Sequence, residues 1–236
     1  VDTPRSIWAV VPAAGTGSRI DAALPKQYLR IAGRMLAEHT LEALLAVARI
    51  RELVVAIAPG DTRWATLPAS LRERVRVVAG GADRAGSVLG ALGGFSRLPD
   101  DEDWVLVHDM ARPCVRTTQV EALIATLEND AVGGLLAIPV VDTLKRATAG
   151  QRVEASVARE GLWRAQTPQM FRFGLLRRPP GPAPHAGVGV TAESMAIQRP
   201  GHAPRLVMGR TDDTKAVSYQ NLKTPTNYTV SISWAS

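Results

Sequence analysis

Ile7-Trp8-Ala9-Val10-Val11 runs directly into Pro12-Ala13-Ala14-Gly15-Thr16-Gly17-Ser18-Arg19. A short unbroken apolar run rich in β-branched residues, closed by a loop of small residues, predicts a buried strand ending in a tight turn. Downstream, the same unit repeats. Apolar runs at 53–57, 75–78, 104–107 and 134–138 predict further strands. Between them, helical spacing of apolar residues predicts helices at 35–47, about 84–92 and 120–127, and Asp61 can cap a short helix after Pro59-Gly60. Strands alternating with amphipathic helices imply an α/β fold: Rossmann-like, a mostly parallel open sheet with helices on both faces. Such sheets bind ligands beyond the carboxyl ends of their strands, so the residues just after each strand are the first candidates for function.

The rhythm breaks after Pro139. Residues 142–160 are polar, and Thr148-Ala149-Gly150-Gln151 reads as a turn between two extended arms, which predicts a projecting β-hairpin. A long exposed hairpin needs a surface to lean on, most simply a second copy of the chain. Pro179-Pro180-Gly181-Pro182-Ala183-Pro184 can be neither helix nor central strand and is expected as a surface loop. Tyr228, Val230, Ile232 and Trp234 alternate with polar residues at a strand period. No second domain boundary is visible, so the expectation is one domain over 1–236 with a dimerisation arm at about 139–161.

Composition narrows the function classes. The chain has 236 residues, 46% of them hydrophobic and 21% charged, so general disorder is excluded and a sizeable core is expected. No apolar run is long enough for a membrane helix. Cys114 is the single cysteine, so no intrachain disulfide can form. With no secretory pattern in residues 1–6, a reducing, cytoplasmic setting is expected. The net charge is +6, yet the arginines are scattered and aromatics make up only 5%. A nucleic-acid binder concentrates its cations in a stripe with stacking rings, so a small polyanionic substrate is the better match.

In the first loop, small residues let backbone N–H groups approach an anion closely. A dinucleotide fingerprint would place a third glycine at Ile20, and a P-loop would end in Gly-Lys-Ser/Thr; both are absent. What remains is a glycine loop with two cations, Arg19 and Lys26, able to fold over a triphosphate, or else an ordinary strand-to-helix turn with solvated charges. Asp109, directly after the fourth strand in His108-Asp109-Met110-Ala111-Arg112-Pro113, is placed either to hold Mg²⁺ through carboxylate oxygen or to cap a helix or pair with Arg112. Asp212 offers a second carboxylate, against the reading of a solvated turn. Thr143, Thr167 and Thr191 carry hydroxyls that bind phosphate or cap helices. His108 reads as a hydrogen-bonded core residue and Cys114 as a small buried one.

Taken in order, several motifs resemble the 2-C-methyl-D-erythritol 4-phosphate cytidylyltransferase family. They are Pro12 to Arg19 with Pro25-Lys26-Gln27-Tyr28-Leu29; Gly80-Gly81…Arg84…Ser87-Val88; Val107 to Pro113; Pro139…Asp142-Thr143-Leu144-Lys145; and Leu162-Trp163…Gln166-Thr167-Pro168-Gln169. The first loop alone fits many sugar-nucleotide transferases; the hairpin and the 163–169 stretch narrow it. The resemblance implies attack by the 4-phosphate of methylerythritol phosphate on the α-phosphorus of CTP, with loss of pyrophosphate. It implies Arg19, Lys26 and Lys215 as catalytic cations. The loop Pro12, Ala13, Ala14, Gly15, Thr16 and Gly17, with Gly81, Ser87 and Met110, would bind the nucleotide. Arg112, Thr143, Arg159, Thr167 and Thr191 would bind the acceptor, and Asp109 and Asp212 would hold Mg²⁺. It also implies a homodimer through the arm, with Arg159 reaching the partner's site; the composition adds the expectation of neither nucleic acid nor membrane as partner.

The chain departs from the family pattern at several places. Met110 stands where Ala is usual, Ala82 replaces an acidic or polar residue, and Ala192 replaces an Asp. Asp213-Thr214-Lys215-Ala216-Val217 stands for a more usual Asn-Ile-Lys-Val-Thr, and the tail after it lacks the family's acidic helix.

Overall fold

The computed structural model describes residues 5–15, 24–177, 202–213 and 215. The first apolar run forms β1 (Ile7–Ala13), an interior strand of a seven-stranded sheet. A small β-ribbon, β2 (Arg30–Ile31) and β3 (Arg34–Met35), leads into α1 (Leu36–Leu45). Next come β4 (Ile50–Ile57), α2 (Ala69–Arg72), β5 (Arg76–Ala79) and α3 (Arg84–Leu92). The expected strand at 104–107 is β6 (Trp104–Val107), followed by α4 (Thr117–Leu127) and β7 (Gly133–Pro139). The hairpin is β8 (Leu144–Ala147) and β9 (Val153–Val157), an antiparallel pair separate from the main sheet. β10 (Trp163–Arg172), α5 (Phe173–Leu176) and β11 (Arg205–Met208) complete the described elements.

The sheet order is β11-β7-β10-β6-β1-β4-β5. The β1–β4, β1–β6, β4–β5 and β7–β11 pairs are parallel, and only β10 runs against its neighbours β6 and β7. β1 shows why this sequence makes a two-faced sheet. Successive strand residues point to opposite faces. Ile7, Ala9, Val11 and Ala13 pack with α1 and α4 through Leu41, Leu44, Leu123 and Ile124. Trp8 and Val10 face the other way, into α3 and α5 through Val88, Leu92, Phe173 and Leu176. A strand covered on both sides has no polar face, which is why its sequence is continuously apolar.

β10 and β11 were not expected as strands. β10 carries Gln166, Thr167, Pro168 and Gln169 in its middle, and its pairing with β7 breaks register between Ala165 and Gln169. Proline has no N–H to give a ladder, so the sequence masks the strand. Insertion of β10 requires close approach of two backbones. Gly133 sits at φ +115°, and a Cβ there would run into the Met170 carbonyl and the Phe171 Cα. The prolines at 179–184 and the alternating tail lie outside the described residues.

Candidate active site

Beyond the carboxyl ends of β1, β5 and β6 lies a cleft of about 540 Å³. Each wall comes from one strand-to-helix turn. After β1, Pro12, Ala13, Ala14 and Gly15 form one side. The loop bearing Lys26 is tied to that strand end by Gln27, whose Nε2 donates to the Ala13 carbonyl at 2.8 Å. The second wall is the Gly81-to-Ser87 turn. The Asp83 carboxylate caps α3 by accepting from Gly86 N–H at 2.7 Å. The Ser87 hydroxyl accepts from Gly81 N–H at 3.2 Å and donates to the Asp83 carbonyl at 2.8 Å. A Cβ on Gly81 would meet Gly86 Cα at 2.8 Å, so this turn closes only with glycine at position 81. The third wall is Asp109, Met110 and Ala111, with the Met110 carbonyl held by Thr40 Oγ1 at 2.9 Å.

The charges meet at Asp109. Its Oδ1 accepts from Arg84 Nε at 2.8 Å and its Oδ2 from Lys215 Nζ at 2.7 Å, with Arg112 Nε at 3.8 Å. Burial alone would raise the Asp109 carboxyl, but the two cations outweigh it and hold it well below the usual carboxylate range. Lys215 arrives from the far end of the chain. The Gln166 amide binds the carbonyls of Arg210 and Asp213 at 2.6 and 2.9 Å, and Arg112 Nη1 binds the Asp213 carbonyl at 3.1 Å. His108 is fully buried, and burial pushes its imidazole down to about 4 despite the nearby Asp109 charge. It is therefore neutral near neutral pH.

Of the residues singled out in the sequence, Pro12, Ala13, Ala14, Gly15, Lys26, Gly81, Ser87, Asp109, Met110 and Lys215 line this cleft. Arg19, Thr16, Gly17 and Thr191 lie outside the described residues. Arg112 stands behind Asp109, bound to the Asp213 carbonyl, and does not line the cleft. Thr167 is buried, its hydroxyl turned onto His108 and the Asp109 N–H. Thr143 and Arg159 are exposed on the hairpin segment, where Arg159 Nη1 binds the Val141 carbonyl.

The structure does not bring Asp212 to Asp109. The Asp212 carboxylate is exposed and held by Arg210 through both oxygens at 2.9 Å and by Arg116 at 3.0 Å, because the 210–213 turn points its first acid outward and its second inward. Among the described residues, no three His, Cys, Asp or Glu side chains gather as a protein-only metal site. Asp109 and Asp83 both line the cleft, the two Asp109 oxygens engaged by Arg84 and Lys215; Mg²⁺ is commonly held by one or two carboxylates plus substrate phosphates.

Two participants escaped the sequence reading. Arg84 was visible in a motif but had no role until its contact with Asp109. Asp213, fully buried with neither carboxylate oxygen hydrogen-bonded, has its carboxyl raised to about 6, chiefly by burial and further by Asp212 and Asp109, against the pull of Arg112. No local signal distinguishes Asp213 from Asp212.

Residues 7–228 match the family pattern described as 2-C-methyl-D-erythritol 4-phosphate cytidylyltransferase. A Pseudomonas putida protein of that description is 46% identical over 224 residues, spanning 94% of this chain and 95% of its own length. One from Pseudomonas entomophila is 46% identical over 219 residues, 92% of this chain and 93% of its own. A crystal structure of a 4-diphosphocytidyl-2C-methyl-D-erythritol synthase superposes with a TM-score of 0.77 at 35% identity, over 92% of this chain and 96% of that one. The cytidylyltransferase structure from Thermus thermophilus gives 0.70 at 30% identity, over 93% and 96%. A glycine-lined cleft at the strand ends, a buried carboxylate between two cations and this pattern along nearly the whole sequence have one common source: the chain belongs to the 2-C-methyl-D-erythritol 4-phosphate cytidylyltransferase family.

Proposed function

We propose that this chain transfers the cytidylyl group of CTP to the 4-phosphate of 2-C-methyl-D-erythritol, giving 4-diphosphocytidyl-methylerythritol and pyrophosphate. An acceptor phosphate oxygen forms a bond to the α-phosphorus as the bond to the β-phosphate bridging oxygen breaks. The nucleophile is already an anion near neutral pH, so no general base is needed. A neutral, fully enclosed His108 fits that economy. The work left to the protein is alignment and charge neutralisation at the pentacoordinate phosphorus.

The observation that carries this reading is the position of Asp109, Arg84, Lys215 and Lys26 on one cleft with the glycine loops. Lys26 and Arg19 would take the triphosphate and the developing charge on pyrophosphate. Lys215, at the cleft's acid end, would meet the acceptor phosphate. Ala13, Ala14 and Gly81 would approach cytosine through backbone groups. The Ser87 hydroxyl, whose proton goes to Asp83, retains a lone pair for an amino group. Asp109 would hold Mg²⁺, which when bound supplies further neutralisation of the phosphates.

Thr143 and Arg159 stand on the exposed hairpin segment and do not line this chain's cleft. That supports a homodimer in which the arm at about 139–161 lends Arg159 to the partner's acceptor site.

Incubation with CTP, Mg²⁺ and methylerythritol phosphate is expected to release pyrophosphate, with ATP giving little. Release with ribitol 5-phosphate and none with methylerythritol phosphate would overturn the acceptor assignment. CTP binding with no release from any acceptor would overturn the enzymatic reading.

A further inference from the structure

Both ring nitrogens of His108 have a polar neighbour. Nε2 lies 3.2 Å from the Arg112 carbonyl oxygen, and Nδ1 lies 3.0 Å from the Thr167 hydroxyl. The ring is fully buried and neither nitrogen is hydrogen-bonded to a carboxylate, so it is neutral and carries one N–H. A carbonyl oxygen can only accept. The ring proton therefore sits on Nε2, and Nδ1 presents a bare lone pair. Facing that lone pair, Thr167 must be the donor. The same hydroxyl oxygen accepts the Asp109 backbone N–H at 3.1 Å. Its single proton is thus engaged inside the protein, and Thr167, at 4% exposed, is not part of the cleft wall.

We infer that His108 and Thr167 are positioning residues. They form a closed relay from Asp109 N–H to Thr167 Oγ1, from Thr167 O–H to His108 Nδ1, and from His108 Nε2–H to the Arg112 carbonyl. The relay joins β10 to the turn after β6. It fixes the backbone of residues 109–112, and through it the angle at which the Asp109 carboxylate meets Arg84 and Lys215. A backbone N–H and a ring nitrogen would be left buried and unsatisfied without the hydroxyl, so the turn should loosen when the hydroxyl is removed. This also gives β10 a purpose beyond packing: its irregular middle delivers the hydroxyl.

The effect on turnover rests on the cytidylyl-transfer reading, but the hydrogen-bond assignment does not. ¹⁵N NMR of the ring, assigned by the signal lost in His108→Gln, reads it directly. A pyridine-like Nδ1 and a pyrrole-like Nε2 are expected; a protonated Nδ1 would overturn the relay, whether or not the chain turns over CTP. Calorimetry of Mg²⁺–CTP without acceptor provides the functional arm. Thr167→Val is expected to weaken CTP binding about tenfold, Thr167→Ser to restore most of it, and Thr167→Val with His108→Gln to be no worse than either alone. A Thr167→Val protein that melts like the wild type, binds CTP normally and shows only a raised KM for methylerythritol phosphate would make Thr167 a phosphate ligand and sink the proposal. A wild type that binds CTP but releases no pyrophosphate would remove the transfer reading and leave the relay to the ring spectrum.

Discussion

Asp109 and Asp213 are both buried acids, and their surroundings push them in opposite directions. Asp109 has Arg84 and Lys215 on its two oxygens and stays ionised. Asp213 has the Arg112 and Gln166 side chains on its main-chain carbonyl and no hydrogen-bond partner on its carboxylate. With the folded value of Asp213 raised to about 6, the native state holds a proton that the unfolded chain releases near 4. Its contribution is thus greatest in acid and falls as pH rises from about 4 to about 6, after which it is flat. Asp213→Asn should stabilise the fold by roughly 1–2 kcal/mol near neutral pH and lose that advantage below about pH 4, read from urea midpoints across pH. A constant advantage at every pH would assign the effect to packing. Lys26 makes the complementary case. Lys26→Ala should lower kcat/KM by about 10²–10³-fold while moving the melting temperature little, since a cation aimed at developing charge acts on the transition state. A large fall in melting temperature with a small kinetic effect would make Lys26 structural.

Among the elements, β7 shows how much depends on a backbone without a side chain. Gly133 lies against Met170 and Phe171 of β10, and Gly134 against Arg205 of β11. Both late strands pair with β7 at these glycines, and β10 is held on its other side by β6. Gly133→Ala should cost about 3 kcal/mol or more, because the positive φ and the clash with the Met170 carbonyl add together. Thermal unfolding checks it, and a loss below about 1 kcal/mol would mean that β10 can shift freely. β10 was hidden because its central residues are polar and include Pro168, so neither alternation nor a continuous apolar run marks it. β1, β4 and β6 were plain because strands buried on both faces must be apolar throughout. α3 was equally plain, with Asp83 at its start and Val88, Ala91 and Leu92 on one side.

At the level of the assembled protein, the cleft and the arm divide the labour. The described cleft carries Asp109, Gly15 and the Gly81 turn, while the hairpin β8–β9 pairs only with itself and the hairpin segment leaves Val141 and Val153 about two-thirds exposed, at 69% and 67%. If the arm carries Arg159 into a second subunit, activity per chain should fall on dilution in step with dissociation. Arg159→Ala mixed with Lys26→Ala should then recover part of the activity through hybrid dimers that restore one intact site. A monomer by light scattering at micromolar concentration, still fully active, would remove the trans role. No helix among the described residues is long and apolar enough to cross a membrane.

Periodicity and turn chemistry are local, and they were sufficient for the parallel strands β1, β4, β5 and β6 and for the helices α1, α3 and α4. The ordered motifs were sufficient for the family. The partnerships of charge were another matter. Whether Asp212 or Asp213 turns inward, whether Arg84 grips Asp109, and whether the Thr167 hydroxyl looks outward or onto His108 all depend on contacts between residues 25 to 106 positions apart or on the twist of a single turn. Such contacts leave no periodic trace, because hydrogen bonds and ion pairs are set by ångström-level approach of distant segments. Burial patterns, by contrast, are imposed on every neighbouring residue of a helix or strand.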